Sequence, residues 1–333
     1  MLSQAHRKGK HEITNDGTSN LKETSGSFTC KCDKTLHISS NWVQLSKGQR
    51  SQSAHVHPTN VFGSLIHLRT DVNSVTNWNT PLVWEGTFDP VVIDAIYKKM
   101  DPRVAVVVFA VGKYTCFLKG FLESGEKHFL IDFRVTYYIF TDNEKDVPKV
   151  ELGKGRKISV VTVPSANRWQ DVVLGRMKWA TITIDKQIRN EADYLFMMDI
   201  DSVFHNRFGA ESLSQLSAVL HRGNYKVLKT NFPYERRAKS RAYIPLDEGD
   251  YYYTAAVWGG YLEDIFIHIF RFMKNLFTSY LQYFEYLLYN KPTKVLSPEY
   301  LWSDYDQIPA DIKVVRISQL IKDYKKVRPN GGR

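Results

Sequence analysis

Short apolar runs alternate with segments of helical period along most of this 333-residue chain. Continuous β-branched and aromatic runs predict buried strands, and they occupy residues 104–111, 134–141, 157–163 and 194–198. Between them, segments 114–129 and 169–188 place apolar residues three or four positions apart, as helices that face a core do. Strands that alternate with helices predict an α/β fold with a Rossmann-like sheet.

The second half of the chain carries weaker patterns. Its apolar spacing predicts a short helix at 212–220 and a strand at 255–258 that ends at Gly259-Gly260. Further short apolar stretches indicate strands at 226–229, 242–244, 294–296 and 314–317.

The first 75 residues are polar and basic and show no sustained period. Such a composition cannot bury enough apolar surface to offset the entropy of ordering, so we predict a disordered head over 1–75 and a folded body over 76–333. The start of the chain lacks the apolar core of a signal peptide, and no run of about 18 apolar residues predicts a membrane span.

The net charge is +10, and apolar residues make up 43% of the sequence. A basic chain suits an anionic ligand or an anionic surface. Because no basic helix with interleaved aromatic residues is present, we expect no nucleic-acid partner.

The clearest chemical signal is Asp199-Ile200-Asp201, which directly follows the apolar run 194–198. In α/β proteins, ligands bind at the carboxyl ends of the strands. Hard divalent cations prefer oxygen ligands and commonly bridge carboxylates to a diphosphate. The pattern therefore indicates a metal site for a nucleotide-linked donor, although two solvated acids in a turn would give the same tripeptide.

Several longer motifs carry a resemblance to a known family. They are VWEGTFD (83–89), FAVGKY (109–114), EKHF (126–129), RWQD (168–171), FPYERR (232–237), AYIPLDEGDYYY (242–253) and NKPTKVLSPEYLW (290–302). Together with the acid pair, they resemble glycosyltransferase family 6 from Pro81 to about Asn330. This family includes the histo-blood-group ABO transferases and the α-1,3-galactosyltransferase.

The resemblance implies a GT-A fold, a Rossmann-like nucleotide-binding α/β domain that forms a single catalytic domain. Its nucleotide-binding half would span about 100–205, its acceptor-binding half about 206–310 and its basic C-terminal tail about 318–333. It also implies a Mn²⁺-dependent, retaining hexosyltransferase. Such an enzyme moves galactose or N-acetylgalactosamine from UDP-galactose or UDP-N-acetylgalactosamine to the 3-hydroxyl of a galactose-terminated glycan. The expected location is the Golgi membrane or lumen.

The same resemblance assigns donor residues. Asp199 and Asp201 would hold the metal, and the remaining positions would contact UDP: Phe109, Ala110, Val111, Tyr114, Arg176, Ile200, Lys322 and Arg328. Tyr114 would stack on uracil with an exposed ring face. For Arg176, and for Lys322 and Arg328 in the tail, a solvated surface charge is the alternative.

On the acceptor side, the family pattern assigns His221 and Pro233 as contacts with the acceptor sugar. Pro233 replaces the threonine of the blood-group enzymes, so this contact is apolar here. Thr254 and Ala256 occupy the pair that selects the donor sugar, where a small side chain sets the room for an N-acetyl group. Ala256 favours galactose, whereas Thr254 matches neither blood-group enzyme.

One segment departs from the family. The family carries a catalytic glutamate shortly before the segment Lys291–Lys294, and counting back places Tyr280 in its slot. The histidine and the aspartate with which the family binds the acceptor are replaced by Thr278 and Ser279. A deletion or a frame shift in this region would explain the change. The alternative function is therefore a catalytically impaired homologue that binds UDP-sugar or glycan.

Overall fold

The computed structural model describes residues 69–165, 169–240, 242–274, 287–323 and 327. All of them belong to one compact unit, Thr59–Arg333. The predicted head up to residue 68, together with Tyr280 and Arg328, lies outside the described residues.

Strands and helices alternate through the first part of the domain and become irregular afterwards. The strands are β1 (Leu82–Val83), β2 (Arg103–Phe109), β3 (Arg134–Thr141), β4 (Lys157–Thr162), β5 (Tyr194–Met198), β6 (Ser202–Phe204), β7 (Leu216–Leu220), β8 (Tyr253–Tyr261), β9 (Lys294–Leu296), β10 (Trp302–Ser303) and β11 (Ile317–Gln319). The helices are α1 (Pro90–Met100), α2 (Leu118–His128), α3 (Trp169–Thr183), α4 (Arg189–Glu191) and α5 (Leu262–Lys274).

A central sheet of eight strands has the order β1-β9-β7-β8-β5-β2-β3-β4. Strands β5, β2, β3 and β4 run parallel, whereas β8 is antiparallel to both β5 and β7. The sheet is therefore mixed, and the α/β prediction is confirmed.

Strands β2, β3 and β5 are hydrophobic on both faces because both faces are covered, whereas the edge strand β4 is partly exposed. Val106 and Val108 of β2 pack in one cluster with Leu118 and Phe121 at the helix α2 side. Val107 of the same strand packs in the other cluster with Ala180 of α3. Buried strands with two covered faces read as continuous apolar runs, and this is the signal that located them in the sequence.

A second sheet, with the order β10-β11-β6, carries the end of the described chain back to the acid pair. In this sheet β6 and β11 are antiparallel, and Ser202 lies opposite Gln319. The residues that follow Gln319 are consequently held close to Asp201.

Three predicted elements of the second half are wrong. Residues 216–220 form strand β7 rather than a helix, because they pair with β8 and β9. Apolar residues at 213, 216 and 220 mimic helical spacing, but sheet pairing overrides this local pattern. Residues 226–229 and 242–244 form no strand.

Strand β8 continues through the two glycines that were expected to end it. A Cβ atom on Gly259 would lie 2.4 Å from the carbonyl oxygen of Leu195 on β5. Glycine is required here by the close approach of two backbones rather than by a turn.

The last residues of the predicted head pack on the domain. The Arg69 guanidinium donates to Asp71 Oδ1 at 2.7 Å and to the Asp311 carbonyl oxygen at 2.6 Å. Val75 forms a bridge with Pro81. Within the described residues, no helix is both long and apolar enough to cross a membrane.

Candidate active site

The acid pair lies where strand β5 ends. Asp199 directly follows β5, and its backbone N–H donates to the Ala256 carbonyl oxygen at 2.8 Å. Asp201 directly precedes β6, and its carbonyl oxygen accepts from the Leu320 N–H at 3.0 Å. The Asp199 side chain is 26% exposed and that of Asp201 is 4% exposed. Both acids are thus anchored by their own backbones, with Asp199 the more accessible carboxylate.

Each carboxylate is paired with a basic side chain from a different part of the chain. Arg176 of α3 donates from Nη1 to Asp199 Oδ1 at 2.9 Å, and its guanidinium lies 5.6 Å from the centre of the Phe109 ring. Lys322 forms an ion pair with Asp201. Both basic side chains are largely buried, so the pairs are little screened by solvent. The structure therefore brings together four of the residues that the family resemblance assigns to the donor site.

The end of strand β2 supplies the neighbouring wall of the site. Phe109, Ala110 and Val111 are buried, and the Ala110 N–H donates to the Phe140 carbonyl oxygen at 2.8 Å. The Phe109 ring stacks on Phe140 at 4.5 Å between centroids. This segment belongs to the hydrophobic core and also forms the end of a strand, as the pattern predicts.

Tyr114 differs from the expected exposed platform, since it is only 3% exposed. It sits in the 3₁₀ turn Gly112–Phe117, and its ring meets Phe117 edge to face. Lys322 Nζ lies 5.9 Å from the ring centre. Lys322, which pairs with Asp201, thus also lies over the Tyr114 ring, and this ring is otherwise buried in the cluster that contains Leu118 and Phe121.

Sequence reasoning missed Asp142, which shapes this turn. Its Oδ1 accepts from the Gly112 N–H at 2.8 Å. Gly112 has a φ of +59°, a left-handed conformation that favours glycine. The sequence signal that could have identified Asp142 is an acid directly after a predicted strand.

His221 lies at the end of β7, on the acceptor side. Its backbone N–H donates to the Tyr252 carbonyl oxygen at 2.9 Å. Its Nδ1 accepts from the Gly223 N–H at 3.1 Å, so in the neutral ring the proton is on Nε2. Burial, and to a lesser extent the charge of Arg222, lowers the pKa of His221. The side chain is therefore a neutral hydrogen-bond donor at neutral pH.

The two residues that the family resemblance assigns to donor selectivity lie on β8, next to the acids. Thr254 and Ala256 are both buried, and Thr254 Oγ1 accepts from the Ala256 N–H at 3.2 Å. The Ala256 carbonyl oxygen bonds the Asp199 N–H. Ile200 is buried between the acids, while Pro233 is exposed between buried Phe232 and Tyr234.

Within the described residues, no cluster of three or more histidine, cysteine or acidic side chains is arranged to hold a metal ion. The carboxylates available at the end of β5 are those of Asp199 and Asp201. A pair of this kind fits a hard cation that completes its shell with water and phosphate oxygens.

Comparison with known proteins places the chain in a family. The model of glycosyltransferase family 6 matches residues 42–329, so the match begins ahead of the boundary expected at residue 76. The globoside α-1,3-N-acetylgalactosaminyltransferase 1 of Gallus gallus is 43% identical over 271 residues, which cover 78% of this chain and 79% of that protein. The histo-blood group ABO system transferase 2 of Rattus norvegicus is 40% identical over 276 residues, or 78% and 81% of the two chains.

A third relative, the glycosyltransferase 6 domain-containing protein 1 of Rattus norvegicus, is 36% identical over 267 residues, or 77% of this chain and 85% of that protein. The matched region includes the acid pair and both strand ends that flank it. The chain belongs to glycosyltransferase family 6, a family of hexosyltransferases with the GT-A fold.

Proposed function

We propose that this protein transfers galactose or N-acetylgalactosamine from a UDP-sugar to the 3-hydroxyl of a terminal galactose-type glycan, with retention of configuration. The observation that carries the proposal is the pair of acids at the end of β5, each held by a basic side chain and flanked by the end of β2. Carboxylates and fixed cations at a strand end suit a diphosphate-linked donor.

In this proposal the end of β2 holds the uridine. Backbone groups of Phe109, Ala110 and Val111 would contact the nucleoside, the backbone near Ile200 would approach the ribose, and Tyr114 would stack on uracil. Because Tyr114 is buried and Lys322 lies over its ring here, the ring must become exposed for the base to stack on it. Lys322 and Arg328 would then bind the diphosphate and stabilise the charge that grows on it during transfer.

Asp199 and Asp201 would hold Mn²⁺, which when bound neutralises the leaving diphosphate. The fit rests on two carboxylates within three residues of chain, one of them accessible to solvent. Arg176 would keep Asp199 oriented and reach the donor sugar. The remaining acceptor and selectivity roles fall to His221 and Pro233, and to Thr254 and Ala256.

Donor choice is open between two sugars. Ala256 favours galactose because its methyl group takes room that an N-acetyl group needs. Two relatives are named N-acetylgalactosaminyltransferases or blood-group transferases, which keeps UDP-N-acetylgalactosamine as the competing donor. We also propose residence in the Golgi, which imaging of the tagged protein beside a Golgi marker would check.

The test is transfer of labelled sugar from each UDP-sugar to a soluble galactose-terminated oligosaccharide, with and without Mn²⁺. We expect Mn²⁺-dependent product, which Asp199→Asn should reduce by about a hundredfold. Asp304→Asn, which changes an exposed acid in the loop after β10, is the control. Equal rates for Asp199→Asn and the unchanged protein would contradict the proposal.

A second function is favoured by one observation: Tyr280 occupies the slot of the family's catalytic glutamate. Loss of a carboxylate beside a developing positive charge costs about a hundredfold or more in rate. The protein would then bind UDP-sugar or glycan without efficient transfer. Calorimetry with UDP and Mn²⁺, combined with the transfer assay, separates the two functions. Binding without turnover supports the second function.

A further inference from the structure

Two neighbouring loops on the acceptor side expose large apolar side chains. Leu228 is 74% exposed and Leu246 is 57% exposed, and Val227 and Tyr243 accompany them. We call these four residues the apolar tips. They belong to the loops 221–233 and 242–252, which also carry His221 and Pro233.

The two loops are fastened to each other by the Arg236 guanidinium and by the Lys229 ammonium, which donates to the Asp247 carbonyl oxygen. Arg236 donates to the Ile244 carbonyl oxygen at 2.8 Å and to the Lys229 carbonyl oxygen at 3.1 Å. The Ile244 N–H donates to the Glu235 carbonyl oxygen at 2.9 Å. These bonds hold the residues next to Leu228 and Leu246 in one assembly, so the tips are presented together.

Basic side chains surround the tips. Lys226 pairs with Asp311, and Arg237 pairs with Glu235. The Lys229 ammonium donates to the Asp247 carbonyl oxygen, and neither Lys229 nor Lys239 has an ion-pair partner within the part of the chain that the structure describes. Exposed Asp247 and Glu248 follow Leu246 and reduce the positive charge there. Apolar insertion should therefore supply the larger share of any binding, and charge the smaller.

We propose that the apolar tips and their lysines dock this domain on a phospholipid bilayer that contains anionic lipid. Leucines on loops would enter the boundary between headgroups and acyl chains, while lysine stems lie along it with their ammonium groups among the phosphates. The acceptor site would then face sugars that are displayed on lipids. The benefit to catalysis rests on the proposed function, whereas the docking itself does not.

A bilayer suits this surface better than a protein partner does. A stable protein interface buries about 800 Å² on each side and involves 20–30 residues. Four apolar side chains on two loop tips fall far below this size. Shallow insertion with flanking lysines requires no larger area.

The docking is tested with the full chain and extruded vesicles in a flotation assay. We expect binding to phosphatidylcholine vesicles that contain phosphatidylserine, and weaker binding to pure phosphatidylcholine. The double variant Leu228→Ser with Leu246→Ser should bind about tenfold or more weakly, because two leucines no longer leave water. The double variant Lys229→Gln with Lys239→Gln should lose about five- to tenfold, and only on the anionic vesicles.

The matched control changes an apolar surface elsewhere, Val91→Ser with Val92→Ser on α1, where these residues are 75% and 53% exposed. This control should bind vesicles like the unchanged protein. Absence of binding, equal binding to both vesicle types, or a loss in the α1 variant that equals the loss in the leucine variant would each overturn the proposal. Circular dichroism is to be used to check that all variants are folded.

A second measurement separates this proposal from the proposed function. With an acceptor glycolipid in vesicles, the leucine variant should show a raised KM, whereas its KM for the soluble oligosaccharide should stay unchanged. Vesicle binding without any transfer would keep the docking and reject the transferase function. Transfer with equal loss on both acceptors would reject the docking as the cause.

Discussion

The proposed donor edge and the proposed acceptor side of this domain are built in opposite ways. At the donor edge, acids follow a fully buried strand, and each is held by a largely buried basic side chain from elsewhere in the chain. On the acceptor side, the groups sit on irregular loops, with leucines and lysines in solvent. The sheet fixes the geometry of the donor edge, whereas changes in the acceptor loops are expected to leave that geometry unaltered.

This contrast explains how one scaffold can keep its donor chemistry while its acceptor varies. Loops tolerate substitution better than the strands that position them. The predictions below challenge this division, beginning with the largest effect.

The core beneath the donor edge should be the most sensitive region. Phe196 of β5 is fully buried, with Phe208 5.9 Å and Phe129 6.0 Å away between ring centres. Phe196→Ala should lower the free energy of unfolding by about 3–5 kcal/mol, because it leaves a cavity. Leu228→Ala should change it by less than about 0.5 kcal/mol. Chemical denaturation measures both, and similar losses would refute the division.

Loss of the buried acid should come next. Asp201→Asn removes both the carboxylate proposed for the metal and the ionic partner of Lys322. We expect the Mn²⁺-dependent affinity for UDP to fall by about a hundredfold or more. Asp304→Asn again serves as the control. Calorimetric titration gives the affinity, and an unchanged value would remove Asp201 from the donor site.

The selectivity pair should give a smaller effect. Ala256→Gly opens room beside Asp199, so use of UDP-N-acetylgalactosamine should rise relative to UDP-galactose by about tenfold or more. Ala255→Gly changes the neighbouring residue, which points to the opposite face of the strand. The ratio of kcat/KM for the two donors is the measurement, and equal shifts in both variants would count against the assignment.

The smallest effect should be the pH dependence of His221. Its pKa is lowered in the folded protein by burial, so the unfolded chain binds a proton more readily. Its contribution is constant well above pH 6.5, and stability is lost as the pH falls below 6.5. The difference in unfolding free energy between the unchanged protein and His221→Gln should therefore vary only in this acidic range. A difference that varies only at alkaline pH would contradict the assignment.

The sequence predicted the donor half well for a physical reason. Strands β3 and β5 begin and end where the apolar runs do, because both faces of these strands are buried. The acid pair could be located because it ends such a run. The ion pairs of Arg176 and Lys322 join residues 23 and 121 positions apart, and no local pattern encodes them.

The acceptor half was predicted poorly because tertiary pairing decides it. The apolar spacing in β7 fits a helix as well as a strand, so it predicts a helix there. The two glycines in β8 resemble the end of a strand, but β8 continues through them. The contact of Tyr114 with Lys322 also joins residues that are far apart in the chain. These features follow from the order of the strands in the sheet, and no local run of residues reveals them.

The hydrogen bond between the Asp199 N–H and the Ala256 carbonyl oxygen has an evolutionary consequence. The residue proposed to set the size of the sugar pocket also supports, through its carbonyl oxygen, the backbone of an acid proposed to hold the metal. A lineage that exchanges Ala256 for glycine would keep this backbone hydrogen bond but loosen the strand that provides it, because glycine has more conformational freedom. Compensating changes are to be sought first along β8, where they can restore the acid's position without closing the pocket.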